Sequence, residues 1–375
     1  MKKILFITHD ANRTGAPLIL LYFMQWLKHN HPHIEIHGLS LRKGVLSDSF
    51  SSVSKNYMEL ENLNDSILKR TINKLKKTST KAEFKKSLLA KLKHENYDII
   101  YANSIMSLDW GIAIKSQIPK SKLLLHLHEL QVSIKYYAPN LDNDKEKVDK
   151  YICASKLVQN NIVQNYNVPT TKTKVIYEFS KLKPIEINSE INENKEIFIV
   201  GASGTVNLRK GYDLFLCIAK AVVSEIAKNV EFHWVGKFSN KKTELEVLAD
   251  IKKANLQEHV FFKGEFENPE KEFSKFDMFM MSSREDPFPL VCIEVANLGK
   301  PIICFEGATG TEEILQNGGG KIVPYLDINA AAKVIINYIS NPEEILTDGK
   351  KAHEEFKDFN IENQSSIIYQ TLNAL

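Results

Sequence analysis

Short apolar runs alternate with helical patterns along this chain, and the alternation occurs in two successive series. Each run is short and rich in β-branched or aliphatic residues, which is typical of a buried strand. The first series lies at residues 4–8, 34–41, 99–102, 123–127, 151–154 and 175–177, and the second at 197–200, 231–235, 260–263, 278–281 and 302–305. A helix between successive strands returns the chain to the same edge of the sheet, so the strands pair in parallel. The sequence therefore predicts an α/β protein with two doubly wound, Rossmann-like domains.

A polar stretch separates the two series of strands. It is rich in Glu, Asn and Lys and contains Pro184, a composition typical of a linker. We therefore predict an N-terminal domain at 1–182, a linker at 183–194 and a C-terminal domain at 195–357. Ligands of open α/β sheets bind beyond the carboxyl ends of the strands, so residues that follow strand ends are the candidate site residues.

Composition limits the kind of protein. The chain has 375 residues, 43% of them hydrophobic, and a formal net charge of +3, which suits two globular domains. Its four cysteines lie in apolar runs without the spacing of metal ligands, which favours reduced side chains and a cytoplasmic location. The first residues predict a strand and not a signal peptide, and no apolar run approaches transmembrane length.

The segment 282–294 predicts a strand end, a stiff loop and the start of a helix. Two prolines stiffen the loop, and a helical pattern begins near Pro289. The first free N–H groups of that helix, at Leu290 and Val291, point beyond the strand end, where the helix dipole favours a diphosphate.

Two carboxylates, Asp286 and Glu294, lie eight positions apart on either side of this helix start. Glu294 is one turn along the face of Leu290 and can reach a ribose next to a diphosphate, while Asp286 faces a sugar on the other side. Taken singly, each acid is equally well explained as a turn residue or a partner of the helix dipole.

The joint pattern resembles the Glu-x7-Glu signature of retaining glycosyltransferases, in particular glycosyltransferase family 4 with its two-domain GT-B fold. The resemblance implies two Rossmann-like domains facing each other across a cleft, with a final helix at 358–375 that returns to the first domain. The first acid of the signature is Asp286 in this chain, and the neighbouring Glu285 is the alternative ligand of the donor sugar. The donor-binding residues implied by this segment are Asp286, Phe288, Pro289, Leu290, Val291 and Glu294.

A second loop, 201–214, combines small residues with two adjacent cations, Arg209 and Lys210. Small residues such as Gly204 let the backbone approach a phosphate, and the cations supply charge to a diphosphate leaving group. The loop resembles the family's phosphate loop, except that Thr205 stands where an arginine is usual, so Arg209 is expected to replace that charge. The alternative is a solvated basic pair at a turn.

Two further glycine turns follow strands of the second series. The resemblance places the nucleotide base beside Gly264 and Glu265, where backbone groups hold it, and a Gly-rich turn at 307–313 near the diphosphate. Glycine turns after parallel strands are common, so each is a weak signal alone. The Gly-x-Gly-x-x-Gly pattern of dinucleotide-binding enzymes does not follow the first strand, which argues against redox chemistry with a nicotinamide or flavin cofactor.

The first series also supplies candidate site residues. Gly15 lies in a strand-to-helix loop that resembles the family's glycine loop over the donor phosphates, although a plain turn explains it equally well. His126 and His128 share one face at a strand end, and His128 matches a family histidine at the sugar site. A zinc site is disfavoured because no third ligand with suitable spacing is apparent, and a structural histidine is the other alternative.

One segment, 66–93, is strongly basic and has apolar residues at near-helical spacing, with Glu83 as its single acid. It would suit an anionic membrane surface that carries a polyprenyl-linked or other lipid acceptor. A solvated basic helix pair packed on the sheet is the equal alternative. Nucleic acid is disfavoured because aromatic residues are not interleaved with these cations.

These features and the resemblance together predict a metal-independent glycosyltransferase that moves a sugar from a nucleoside-diphosphate-sugar to a hydroxyl of a glycan or lipid-linked glycan, and the resemblance implies that the reaction retains the anomeric configuration. The family analogy suggests bacterial O-antigen, capsule or exopolysaccharide synthesis, on the inner face of the cell membrane. The residues expected to act on the reacting groups are His128, Arg209, Lys210, Glu285 and Asp286. The alternatives are a GT-B sugar-nucleotide epimerase and a non-catalytic nucleotide-sugar-binding assembly protein.

Overall fold

The computed structural model describes residues 2–60, 79–182, 196–226 and 229–375. The chain divides into two compact units. The first comprises Met1–Glu178 together with Ile361–Leu375, and the second comprises Phe179–Asn360. The predicted linker, 183–194, lies outside the described residues.

The first unit is built on a seven-stranded parallel sheet with the order β3-β2-β1-β4-β5-β6-β7. Its strands are β1 (Lys3–Thr8), β2 (Glu35–Ser40), β3 (Asn56–Glu59), β4 (Ile99–Asn103), β5 (Lys122–Leu127), β6 (Lys150–Cys153) and β7 (Thr173–Val175). Its helices are α1 (Gly15–Asn30), α2 (Ser47–Val53), α3 (Ser79–Lys93), α4 (Leu108–Gln117), α5 (Gln131–Tyr137), α6 (Leu141–Asp144) and α7 (Lys156–Tyr166).

The second unit is built on a six-stranded parallel sheet with the order β10-β9-β8-β11-β12-β13. Its strands are β8 (Phe198–Ser203), β9 (Val230–Val235), β10 (Val260–Gly264), β11 (Met278–Met281), β12 (Ile302–Phe305) and β13 (Gly320–Val323). Its helices are α8 (Tyr212–Glu225), α9 (Lys241–Lys253), α10 (Glu270–Phe273), α11 (Leu290–Asn297), α12 (Glu312–Leu315), α13 (Ile328–Ser340) and α14 (Pro342–Phe356).

The last helix of the chain, α15 (Ile361–Asn373), belongs to the first unit and packs on α1. The indole Nε1 of Trp26 donates to Glu362 Oε2 at 2.6 Å. The ring of His31 stacks on Tyr369 with centroids 3.6 Å apart. These contacts attach the C-terminal helix to the same unit as the N-terminal strand.

Both sheets change direction at their first strand. In each, the chain moves outward in one direction for three strands and then returns to the other side of the first strand, which places β1 beside β4 and β8 beside β11. The loops after these four strands therefore lie at a topological switch point, where open α/β sheets bind ligands. This architecture confirms the predicted fold class of two parallel, Rossmann-like domains.

The central strands are buried on both faces, which is why they were visible in the sequence as apolar runs. All residues of β4, β11 and β12 are buried. Two strands were missed. The edge strand β3 is polar and largely accessible, and β13 begins with the last of three consecutive glycines, a pattern that indicates a turn.

Part of the basic segment 66–93 also lies outside the described residues. The part that is described, α3, buries Leu88 and Leu92 and exposes its lysines from position 85 onward. The ammonium of Lys85 lies 5.1 Å from the centre of the Trp110 ring on α4. Among the described residues, the helices are all too short or too polar to cross a membrane.

Gly201 in β8 gives a test of the packing in the second sheet. A Cβ added at Gly201 would lie 2.0 Å from Cδ2 of the buried Phe276 ring, so Gly201→Ala must displace that ring. We expect a loss of about 1–3 kcal/mol in unfolding free energy, as for other overpacked cores. Thermal unfolding of the variant measures this loss.

Gly15→Ala is the matched control, because a Cβ at Gly15 has nothing within 4 Å and the residue lies in the first turn of α1. Its melting temperature should stay unchanged or rise slightly. Equal melting temperatures for Gly201→Ala and wild type would contradict the close packing of Phe276 on β8.

Candidate functional site

The loop after β8 turns back on itself through a single 3-10 turn, Leu208–Lys210. The side-chain Oδ1 of Asn207 caps this turn by accepting from the N–H of Lys210 at 3.0 Å. Gly211 follows with a φ of +73° and is the N-cap residue of α8. A Cβ at Gly211 would lie 1.9 Å from the carbonyl oxygen of Ser282, so only glycine allows the two loops to approach this closely.

The loop after β11 is bonded directly to that turn. The N–H of Arg284 donates to the carbonyl of Arg209 at 2.9 Å, and the hydroxyl of Ser282 donates to the carbonyl of Lys210 at 3.1 Å. The Arg284 guanidinium also binds both carboxylate oxygens of Asp213 in α8, at 2.8 and 2.7 Å. This bidentate pair fixes the turn that presents Arg209 and Lys210.

Lys210 and Asp286 form an ion pair between the two loops, with Nζ 2.5 Å from Oδ2. Their side chains are only 15% and 8% exposed. Arg209 is more exposed, lies 3.6 Å from the same carboxylate oxygen, and donates to the backbone carbonyl of Glu285 at 2.8 Å. Asp286 therefore supplies a carboxylate that meets both cations, whereas the choice between Asp286 and Glu285 as ligand of the donor sugar stays a prediction.

The backbone of Asp286 is held by the glycine-rich turn that follows β12. Its N–H donates to the carbonyl of Ala308 at 2.8 Å, and its carbonyl accepts from the N–H of Gly310 at 3.3 Å. Thr309 and Thr311 in this turn are buried. Three loops, after β8, β11 and β12, thus meet around the Asp286 carboxylate.

Helix α11 begins at Leu290, and Pro289 is its N-cap residue in an extended conformation. Proline offers no side chain that could accept from the helix N–H groups, and the first turn carries no acid. The positive end of the α11 dipole is therefore left without a charged partner of its own in that turn, which suits an anion. Phe288 is buried against the rings of Phe356 and Phe359, so its side chain anchors the loop in the core.

Glu294 lies one turn further along α11 and is partly buried. The hydroxyl of Ser180 lies 3.4 Å from its Oε1. Burial raises the pKa of Glu294 to about 7, and the charge of Glu270 acts in the same direction. Glu294 is thus poised to change charge near neutral pH, unlike an exposed glutamate.

The remaining candidates of the second unit lie around the ends of β9 and β10. The carbonyl of Gly264, which has a φ of +81°, accepts from the N–H of Gly236 at 2.8 Å. Glu265 forms an exposed ion pair with Lys237 at 3.1 Å. Thr205 is partly buried in the loop that begins with Gly204. Gly204 is tied to this edge through its carbonyl, which accepts from the indole Nε1 of Trp234 at 2.8 Å.

The first unit has its own cluster of polar residues at the ends of β4, β5 and β7. His128 contacts a carboxylate oxygen of Glu178 through Nδ1 and lies 2.9 Å from Asn103 Oδ1 through Nε2. The charge of Glu178 and its hydrogen bond raise the pKa of His128, although burial opposes this. Burial lowers the pKa of His126, whose Nδ1 bonds the hydroxyl of Tyr101 at 2.7 Å.

Neither Glu178 nor Asn103 was singled out from the sequence. Glu178 follows the predicted strand 175–177 directly, and Asn103 ends β4, so a search for polar residues at strand ends would have found both. Glu178 is also the third ligand-type group that linear spacing did not reveal. One ligand atom each from His126, His128 and Glu178 lie within 4.8 Å of one another, a set of the kind that zinc uses.

Gly15 is the first residue of α1, where its missing side chain leaves open space beside the helix start. The loop before it is closed by Asp10, whose Oδ1 accepts from the N–H of Asn12 at 2.9 Å.

Next to the His128 cluster, Ser104 has a φ of +85°, a conformation that L side chains rarely adopt. Glu129 accepts from its hydroxyl at 2.5 Å and from the N–H of Ile105 at 3.1 Å. Backbone strain of this kind is concentrated at functional sites.

Residues 184–355 match the family described as Glycosyl transferases group 1. Curated relatives include the lipopolysaccharide core biosynthesis mannosyltransferase LpcC of Rhizobium leguminosarum bv. viciae, 24% identical over 184 residues, which are 47% of this chain and 51% of the relative. The O-antigen biosynthesis glycosyltransferase WclY of Escherichia coli is 27% identical over 162 residues, 41% of this chain and 42% of the relative. The chain thus spans about half the length of the curated relatives it matches.

Solved structures resemble the whole chain. The crystal structure of Anabaena Alr3699/HepE in complex with UDP and glucose has a TM-score of 0.80 and 18% sequence identity, and covers 100% of both chains. The apo form of the lipopolysaccharide outer core galactosyltransferase WaaB has a TM-score of 0.75 and 13% identity, and covers 100% of this chain and 99% of that chain. At these identities the likeness shows the fold.

The fold is therefore GT-B, with two Rossmann-like units of parallel sheet. Residues 184–355, most of the second unit, are similar to group 1 glycosyltransferases, and this part of the chain resembles glycosyltransferases named for lipopolysaccharide core and O-antigen biosynthesis. The predicted kinship with GT-B glycosyltransferases is confirmed, whereas membership of family 4 stays a prediction.

The pKa of Glu294 gives a test of this site's electrostatics. Because the folded-state pKa is raised from 4.5 to about 7, the folded protein binds a proton that the unfolded chain lacks, and stability falls as the pH rises between these values. Glu294→Gln has no such proton. Its melting temperature should therefore exceed that of wild type increasingly from pH 5 to pH 8, by the equivalent of up to about 3 kcal/mol.

Glu246→Gln on α9 serves as the control, since that side chain is 51% exposed. Its melting temperature should follow wild type at every pH. A constant difference between Glu294→Gln and wild type across this range would contradict the raised pKa.

Proposed function

We propose that this protein is a glycosyltransferase that moves a sugar from a nucleoside-diphosphate-sugar to a hydroxyl of a glycan or lipid-linked glycan. The observation that carries the proposal is the Lys210–Asp286 pair, which stands at the switch point of the second sheet, with Arg209 on the same carboxylate. The start of α11 follows four residues after Asp286, and Glu294 lies within that helix. The names of the curated relatives support the same reaction type.

In this proposal, Lys210 and Arg209 stabilise the diphosphate that leaves the sugar. Lys210 is 15% exposed and lies in a partly water-excluded loop cluster, where charge stabilisation is most effective, and Arg209 borders it at 46% exposure. The N–H groups of Leu290 and Val291 at the start of α11 add hydrogen bonds and a favourable dipole. Because protein cations fill this role, we propose that the reaction needs no metal ion.

The two acids then have different tasks. Asp286 is already held by three loops, so its carboxylate can orient the hydroxyls of the donor sugar while Lys210 turns toward the phosphate. Glu294 accepts from the ribose hydroxyls, which favours its charged form. The family resemblance assigns His128 in the first unit to a sugar hydroxyl, and implies retention of the anomeric configuration.

The acceptor and the cell process follow from analogy. Relatives named for lipopolysaccharide core, O-antigen and amylovoran biosynthesis support a role in bacterial surface polysaccharide assembly. A lipid-linked acceptor would bring the enzyme to the inner face of the membrane. The exposed lysines of α3, at positions 85, 86, 91 and 93, would suit the anionic lipids there.

Replacement of Lys210 by methionine tests the leaving-group role. Lys210→Met keeps the length of the side chain but removes the charge next to the diphosphate. We expect turnover of the accepted donor to fall by about 10²–10³-fold, the usual cost of one lost electrostatic contact in a transition state. A screen of UDP-, GDP- and dTDP-sugars with EDTA present, starting with UDP-glucose, identifies the donor and gives the rates.

Two variants control this experiment. Lys241→Met removes an exposed lysine on α9 that pairs only with a neighbour in its own helix, and should keep full activity. Lys210→Met combined with Asp286→Asn also removes the buried carboxylate that has lost its ion pair with Lys210, so it should fold normally yet remain inactive. Donor binding without transfer or hydrolysis in wild type would instead indicate a non-catalytic binding protein, and an epimerised nucleotide-sugar would indicate an epimerase.

Proton release on nucleotide binding tests the role of Glu294 separately. A carboxyl with a pKa of about 7 is partly protonated at neutral pH, and ribose hydroxyls that bind its charged form expel the proton. We expect about half a proton to be released per UDP-glucose bound at pH 7, because the diphosphate of a nucleotide sugar has no group of its own that titrates in this range, and tighter binding at pH 8 than at pH 6. Calorimetry in buffers of different ionisation enthalpy measures this, and Glu294→Gln should release none. Equal heats in all buffers for wild type would exclude the ribose contact.

A further inference from the structure

His128 is bonded to protein groups through both of its ring nitrogens. Nδ1 faces a carboxylate oxygen of Glu178, and Nε2 lies 2.9 Å from Oδ1 of Asn103. The side chains of His128 and Glu178 are 7% and 6% exposed, so water does not compete freely for either contact. The hydrogen atoms on these two nitrogens are therefore determined by the two partners.

The orientation of Asn103 fixes the proton on Nε2. The amide Nδ2 of Asn103 lies 2.9 Å from the backbone carbonyl of Ala16 in α1. A carbonyl can only accept, so the amide group that faces Ala16 is NH2 and the group that faces His128 is the oxygen. An amide oxygen also only accepts. Nε2 of His128 must therefore carry a hydrogen.

The second nitrogen faces the Glu178 carboxylate, which binds a protonated Nδ1 most strongly. The same proton could in principle reside on Glu178, leaving a neutral pair. The proton resides on the histidine because the carboxylates around its ring favour the cationic form. Glu178 and Glu129 both raise the pKa of His128 and together outweigh the effect of burial.

We propose that Glu178 and Asn103 hold His128 as a doubly protonated imidazolium, which makes Glu178 a positioning residue of the proposed transferase. The protonation state of His128 is independent of the proposed function, and only the positioning role of Glu178 in catalysis rests on it. An imidazolium has no lone pair, so His128 cannot take the proton of the acceptor hydroxyl. It can act only as a fixed cation and as a donor from Nε2–H, which a sugar hydroxyl would share with Asn103.

The charged and titratable neighbours of His128 agree with this assignment. Glu129 adds a second carboxylate, whose Oε2 accepts from the backbone N–H of His128 at 3.0 Å. Burial lowers the pKa of both His126 and His9, which favours the neutral form of these two rings. Asp10 lies 3.6 Å from His9, and Arg42 acts on His9 in turn. The carboxylates nearest to His128 thus outnumber the cations.

A metal ion is the rival occupant of this cluster. Nε2 of His126 and Oε2 of Glu178 are buried without a hydrogen-bond partner among the described residues. Together with His128 they could supply three ligands, but a ligand histidine must offer a lone pair. The hydrogen bonds of His128 to Asn103 and Glu178 leave it none.

Long-range ¹H–¹⁵N NMR of the full chain labelled with [¹⁵N]histidine tests the proposal directly. His128 is assigned by the signal that disappears in His128→Asn. In wild type near neutral pH, both of its nitrogens should have shifts of protonated imidazolium, and the midpoint of its titration should lie above the ordinary histidine value of 6.5. One protonated and one bare nitrogen, or a shift produced by added Zn²⁺, would overturn the proposal. The wild-type spectrum decides this even if variants fold poorly.

Glu178→Gln then tests the positioning role. Removal of the carboxylate should lower the titration midpoint of His128 by at least about one unit, the usual effect of a lost neighbouring charge. Glu231→Gln is the matched control, because Glu231 lies 2.6 Å from Nε2 of His233 on β9 and should change that histidine alone. An unchanged His128 midpoint in Glu178→Gln would contradict the assignment.

The pH dependence of kcat/KM tests the positioning role in catalysis separately. The alkaline limb of the profile of kcat/KM against pH should move to lower pH in Glu178→Gln and stay in place in Glu231→Gln. An unmoved limb in Glu178→Gln would exclude a positioning role even if the NMR shift occurs. If wild type transfers no sugar from any donor, the proposed function fails, whereas the NMR result still stands or falls independently.

Discussion

The buried ion pair between Lys210 and Asp286 is the interaction around which the second unit's loops are organised. A carboxylate with 8% exposure is unstable without a cation, so the loops after β8 and β11 must stay together. Gly211 permits their close approach, and Arg284 links the same turn to α8 through its hydrogen bonds with Asp213. The pair thus holds Arg209, Lys210 and Asp286 together at one edge of the sheet. Without it, the turns at this edge would be independent of one another.

The first unit also buries charged groups at its strand ends, and it holds them with different side chains. Its switch-point loops bring together His128, Glu178 and Asn103, and each polar atom of the His128 ring is used. Ser104 has an unfavourable backbone conformation next to this cluster, and Glu129 holds it there. In both units, therefore, charged groups that are costly to bury are fixed by hydrogen bonds at the carboxyl ends of parallel strands, where α/β folds have their sites.

The sequence predicted the strands and helix starts that hydrophobic periodicity and turn residues indicate. Apolar runs identified the central strands, and Pro289 marked the beginning of α11. Contacts between distant segments could not be predicted in this way. Arg284 meets Asp213, and His128 meets Glu178, only after the sheets have formed. The ion pair of Asp286 with Lys210 likewise depends on loop geometry, because the adjacent Glu285 lies in the same loop. Edge strand β3 lacked the apolar pattern that burial on two faces produces.

The most direct test of the account is a crystal structure of the protein with UDP-glucose, grown in EDTA. The expected result is a diphosphate about 3 Å from Lys210 Nζ and from the N–H groups of Leu290 and Val291, with the ribose on Glu294 and no metal ion. A diphosphate bound elsewhere, or bridged to the protein only through a cation, would contradict the claim that the loops after β8 and β11 form a metal-independent donor site.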